Sequence, residues 1–187
     1  MDKGNMDSNI NARPFYQPII MGSAPFRISC CKTTDFPAHW HGDIEILYVL
    51  PHSDDVCVTA DGKTYKLSGR SAVFISGAVI HSVEVRGGSP TVLLIEFGTA
   101  FMGDCFSAFS GKRFSDPVID FSNNDNESTK RMEKLLLMLS DICLENGNPA
   151  TEEKFLPAVR MRISSCLFEL AALMAENMEM TSSERRM

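Results

Sequence analysis

Up to about residue 121 the apolar positions come in short runs. Segments 26–32, 43–50, 56–60, 63–67, 72–75, 80–85 and 91–97 are rich in Val, Ile, Thr, Phe and Tyr, and turn residues separate them. Strands recurring every eight to twelve or so positions predict an antiparallel sandwich or barrel. The clearest hairpin is VCVTA-DG-KTYKL, where Asp61–Gly62 suits a two-residue type I′ turn because both central positions need φ > 0. Arg86-Gly-Gly-Ser-Pro90 marks another turn.

Beyond residue 121 the period changes. The polar stretch SNNDNES supplies N-cap side chains, and Met132, Leu135, Leu136, Leu139, Ile142 and Cys143 then recur at helical spacing. Gly147-Asn-Pro149 is a stop signal, and Thr151-Glu-Glu opens a second helix. Its apolar positions are Leu156, Val159, Ile163, Cys166, Leu167, Leu170, Leu173 and Met174, with Pro157 in or near its first turn. The fold class expected is therefore mainly β, a small β-barrel followed by a C-terminal two-helix hairpin. Residues 1–25 precede the barrel, which takes 26–121, and the hairpin takes 122–180, with a frayed tail at 181–187. The wide apolar faces of the helices either cover the barrel or pair with a second subunit. The dimer reading assigns that role to Leu135, Leu139, Ile163, Leu167, Leu170 and Met174.

Composition narrows the partners. The chain has 187 residues, 44% of them hydrophobic, and a net charge of −6. Residues 1–26 carry two acids and two bases, and residues 27–121 and 122–187 each carry eleven acids and eight bases. A nucleic-acid surface needs clustered cations to neutralise phosphates, and no segment is basic. This chain is not expected to bind DNA by itself. No stretch approaches the roughly 18 apolar residues of a spanning helix, and the N-terminus lacks the pattern of a signal peptide. Cysteines at 30, 31, 57, 105, 143 and 166 make no CxxC pair. They read as reduced thiols in a cytoplasmic protein.

The chemistry gathers on histidines. His39-Trp40-His41 and Glu45 form an HxHxxxE string, and His81 starts a later strand. Positions 39, 41 and 45 share parity, so one extended strand would turn all three to one face. Two imidazoles, a carboxylate and a third imidazole converging in a barrel suit a divalent ion such as Zn, Ni, Fe or Cu. Without an ion the same groups could hydrogen-bond a polyol or carboxylate. Arg27, on an early strand, is a further candidate for the pocket. His52 reads as a solvated loop residue and Trp40 as packing.

The HxHxxxE string with its later His resembles the cupin superfamily. More specifically, PAHWHGDIEILYVL, the ADGKTYKL hairpin and LSGRSAVFISGAVIHSV resemble the N-terminal sensing domain of AraC-type bacterial transcription regulators. The likeness runs from about residue 14 to 180, with LLIEFGTAF and the two helices also fitting. It implies a cupin double-stranded β-barrel that binds a small effector, often a sugar, in the cavity where His39, His41, Glu45 and His81 match the family pattern. It also implies a homodimer made by the hairpin, an arm that folds over the pocket, and DNA binding through a helix-turn-helix part outside these residues. Three positions depart from the regulators: His52 where a glycine is usual, Arg70-Ser71 where a Gly-Asp turn is common, and Gly77 where a proline often precedes the His. The competing reading is a metal-dependent cupin enzyme of the dioxygenase or isomerase type, with the same four residues as ligands.

Overall fold

The structure, a computed structural model, describes residues 13–19, 24–146 and 157–183. Most of the arm expected at 1–25, the stop signal at 147–149, the helix start at Thr151, Leu156 and residues 184–187 lie outside the described residues.

Two five-stranded sheets form the β part. The first runs β1 (Phe15–Tyr16), β3 (Phe36–Trp40), β8 (His81–Glu84), β5 (Val56–Ala60) and β6 (Lys63–Leu67). The second runs β11 (Val118–Asp120), β7 (Ser71–Ile75), β4 (Ile44–Val49), β9 (Thr91–Phe97) and β2 (Phe26–Lys32). Each of the seven expected strands is present. The β5–β6 hairpin turns at Asp61 (φ 50°) and Gly62 (φ 77°), as a type I′ turn demands. His52 and Arg70 also take positive φ, at 62° and 67°. The loops thus keep a left-handed geometry without glycine.

Alternation along the strands gives the second sheet two buried faces. Leu47, Val49, Val73, Ile75 and Val92 pack against Val56, Val58, Leu67 and Val83 of the first sheet. Their neighbours Ile28, Ile46, Tyr48, Phe74, Leu93 and Ile95 point the other way. There they meet α2 (Glu127–Asn146) and α3 (Pro157–Asn177). The result is three layers, with the second sheet in the middle. That is why β4 and β7 are buried at every residue. Each large apolar side chain removed from water there contributes about 1.5–3 kcal/mol.

Asn126 caps α2, its Oδ1 accepting from the Ser128 amide at 2.8 Å. An Arg131–Glu169 ion pair (2.6 Å) joins the first third of α2 to the second half of α3, as an antiparallel hairpin requires. Glu133 points from α2 into the sheet and would be costly there unpaired. Arg70 donates to both its oxygens (2.9 and 2.8 Å) and Tyr48 donates its hydroxyl at 3.2 Å.

Two expectations need correction. Leu135, Leu139, Ile163, Leu167, Leu170 and Met174 are all buried within the chain, because the helices turn that stripe onto the sheet. They offer no surface to a second subunit. The apolar side chains left exposed on the hairpin are Met138, Leu144, Met161 and Phe168. The tail is also not frayed at its start: β12 (Met180–Ser182) pairs antiparallel with β10 (Lys112–Phe114), stitching the end of the hairpin to the segment before β11. Among the described residues, no helix is long and apolar enough to cross a membrane.

Candidate metal centre

Glu45 sits second on β4 and faces the first sheet rather than the helices. His81 opens β8, and His39 lies opposite it on β3. One strand does not carry 39, 41 and 45 together, because β3 and β4 belong to different sheets. His41 occupies the short crossover between them. The four side chains still converge, brought together from both layers and the corner that joins them. All four are buried, and one ligating atom from each falls within 4.8 Å of the others.

The corner is held tightly. The Ala78 amide donates to the His41 carbonyl at 2.7 Å, and a Cβ placed on Gly77 would collide with the Gly42 carbonyl oxygen. Gly77 is needed here for space rather than for an unusual φ. Gly77→Ala is expected to cost about 1–3 kcal/mol, since backbone must shift to admit the methyl. Urea unfolding checks this, and an unchanged midpoint would show that the corner yields freely.

Each ring is oriented through Nδ1. His39 donates to the Pro37 carbonyl (2.9 Å), His41 to Asp43 (3.1 Å) and His81 to Val79 (2.9 Å). A carbonyl only accepts, so the proton sits on Nδ1 and the working nitrogen is Nε2. Nε2 of His41 and His81 lie 3.0 and 3.3 Å from the same Glu45 oxygen, Oε2. If Nε2 carries a proton as well, the ring is an imidazolium. If it does not, lone pairs face a carboxylate and a cation is needed among them. Three rings fixed by carbonyls and one carboxylate therefore fit a divalent ion.

The electrostatics agree. Burial alone would raise the Glu45 carboxyl, but hydrogen bonds from His41 and His81 outweigh it and hold the group down to about 2. Burial also opposes the charge on His81, yet Glu45 raises its pKa. His39 is lowered, by burial and then by the neighbouring His81, whose ring centroid is 4.0 Å away. Phe36 meets His39 edge-on at 4.6 Å, and Phe15 of β1 stacks on its ring at 5.9 Å.

A cavity of about 240 Å³ opens beside the cluster. His39 and Glu45 form part of its wall, and Arg27 and Lys32 line it too. Arg27 therefore does reach the cavity. Glu96 also lines it, and the sequence reading had not singled it out. Its signal was a carboxylate inside the apolar run TVLLIEF, which is costly to bury unless something uses it. Burial and then the nearby Glu45 push its carboxyl up to about 7, against the pull of Arg27. His52 is exposed, as expected, while Trp40, expected to pack, is also exposed and lies against Tyr16 with ring centroids 4.8 Å apart.

No family model and no curated protein matches the chain. Among solved structures it is similar to a cupin 2 conserved barrel domain protein from Salinispora arenicola, at 19% identity and TM-score 0.37 over 49% of this chain and 77% of that one. It is also similar to a protein from Neisseria meningitidis, at 21% identity and TM-score 0.35 over 52% of this chain and 100% of that one. A salicylate 1,2-dioxygenase from Pseudoaminobacter salicylatoxidans matches at 15% identity and TM-score 0.35, over 41% of this chain and 21% of that one.

Proposed function

We propose that this chain is a cupin-type, metal-holding domain that binds a small molecule and serves as the sensing part of a bacterial transcription regulator. The observation that carries the reading is the shared middle layer. On β2 and β9, Arg27, Leu94 and Glu96 line the cavity, while Ile28, Leu93 and Ile95 alternate with them and pack in the core that includes α2 and α3. A shift of either strand on ligand binding is thereby passed to the hairpin. The sequence resemblance supports the same assignment, with a small effector, often a sugar, and a homodimer in the cytoplasm. Pairing would use the outer face of the hairpin, and DNA contact would belong to a part outside these residues.

His39, His41, His81 and Glu45 would hold a divalent ion such as Zn, Ni or Fe through three Nε2 atoms and a carboxylate oxygen. Such an ion supplies a Lewis-acid anchor for an oxygen or nitrogen of the bound molecule. The protein's own groups do the rest. The Pro37, Asp43 and Val79 carbonyls fix the rings, and Leu47, Val83 and Val92 keep part of the cavity wall dry. A second reading, a metal-dependent enzyme, draws on the position of His39 and Glu45 on the cavity wall, where an ion would face the bound molecule.

Elemental analysis after dialysis against zinc is expected to find close to one equivalent, and much less in His39→Ala and His81→Ala. The loaded chain is then screened by thermal shift against small sugars and carboxylic acids, since a ligand of the folded state raises the midpoint. Hits recovered chemically intact support sensing, whereas hits converted on incubation support the enzyme. Zinc binding that survives both histidine changes would remove the metal assignment.

A further inference from the structure

Arg27, Glu96 and Glu45 stand in one row across three strands. Arg27 is the register partner of Glu96 between β2 and β9, and Glu96 that of Glu45 between β9 and β4. Direct cross-strand partners point to the same face, and all three line the cavity. Glu96 is 1% exposed. Its Oε2 lies 3.0 Å from Arg27 Nη1, close enough for an ion pair, but it accepts no aligned hydrogen bond from protein. With Arg27 as its close cationic partner, the Glu96 carboxylate keeps acceptor capacity on the cavity wall that no protein donor uses. Beside it, Arg27 has a guanidinium with five donors, and the ion pair to Glu96 engages Nη1. Lys32 adds a second cation to the lining, and Leu47, Val83, Val92 and Leu94 make an apolar wall.

We infer that the cavity selects a small carboxylic acid bearing a hydroxyl or amino group next to its carboxylate and a short apolar tail. Arg27 takes the carboxylate through its planar fork, and Glu96 accepts from the neighbouring hydroxyl or ammonium. The single charge of a carboxylate fits better than the double charge of a phosphate, because Glu45 and Glu96 flank the same space. A volume of about 240 Å³ is small for a ligand pocket, which limits the tail to a few carbons. The inference rests on the cavity being the ligand site of the proposed function.

The test is calorimetric titration of the full chain with four molecules that share an isobutyl tail: 2-hydroxyisocaproate, leucine, isocaproate and leucinol. At least one of the first two is expected to bind ten times or more tighter than isocaproate, since a site built to pair a donor rejects the analogue that lacks it. Leucinol, without the carboxylate, is expected to bind at least tenfold more weakly than leucine. Arg27→Gln should remove the preference for the carboxylate, and Glu96→Leu the preference for the hydroxyl or amino group. Glu96→Gln serves as the second variant if the leucine change perturbs folding. Isocaproate or leucinol binding as well as the better of the two acids would overturn the inference. So would no binding by any of the four, or affinities unchanged in both variants. Zinc content measured in the same samples keeps the metal assignment separate. Acid binding that depends on Arg27 without zinc sustains this inference and removes the metal, whereas one equivalent of zinc without acid binding does the reverse.

Discussion

Leu167→Ala is expected to lower the free energy of unfolding by about 3–5 kcal/mol, and Leu167→Glu to abolish the cooperative transition at neutral pH. Leu167 is fully buried in the core that joins α2 and α3 to the second sheet. Removing three carbons there leaves a cavity the rigid surroundings cannot fill. A glutamate would place a charge with no partner in the same spot. A domain of this size has about 5–15 kcal/mol in all, so the alanine change removes a large part of it and the glutamate change all of it. Met161, on the same helix and 71% exposed, serves as the control, with an expected effect within about 0.5 kcal/mol on change to alanine. Urea unfolding followed by circular dichroism reads both. A Leu167→Glu chain that stays folded and only loses self-association would restore this residue to a subunit interface.

Stability of the metal-free chain is expected to fall as pH rises from about 4.5 to 7, and Glu96→Gln to remove most of that fall, the remainder coming from His81, whose raised pKa acts in the same sense above 6.5. The Glu96 carboxyl has an ordinary value of 4.5 and is pushed up to about 7 in the folded chain, first by burial and then by Glu45. Between those values the unfolded chain releases this proton and the folded chain keeps it. Ionisation therefore favours unfolding, by roughly 3 kcal/mol once pH exceeds 7. Glu45 acts in the opposite sense. Held at about 2, it contributes stability that is present above 4.5 and is lost as pH falls toward 2. Glutamine at 96 removes the first effect and leaves the second. In chelator, the variant should exceed the parent by about 2–3 kcal/mol at pH 8 and match it near pH 4.5. An equal gap at both values would show that Glu96 does not titrate as its surroundings demand.

The sheets were legible because alternation and turn chemistry act locally. Asp61–Gly62 fixes a hairpin by its own dihedral preference, and the expected strand at 26–32 appears as β2 with the same ends. The third layer was less legible. A continuous run such as EILYVL says that both faces are buried without saying by what. Periodicity marked the buried stripe of the hairpin correctly, but it cannot tell a sheet from a second subunit as the partner. The short strands β10 and β12 carry no pattern of their own, and their pairing is a long-range event. At the site, residue type and spacing picked out His39, His41, Glu45 and His81 although the strand geometry behind the choice was wrong. The chain bends at residues 41–43, which a rule of parity along one strand cannot foresee. Glu96 is not legible in the sequence because a single acid in an apolar strand gains meaning only from its cross-strand partners, Arg27 and Glu45.

The four donors have different addresses in the fold: His39 and His81 on one sheet, Glu45 on the other and His41 on the bend between them. An ion gripped by all four would act as a rivet through two plates. It would link strands that the backbone hydrogen bonds of either sheet never join, and it would span the 42 positions from 39 to 81. Closing a loop of that length restricts the unfolded chain much as a covalent cross-link would. Affinity for the ion and cohesion of the two layers then become one thermodynamic quantity. A molecule in the cavity that tightened or loosened such a rivet would alter how rigidly the layers are clamped, and with them the platform on which the helices rest.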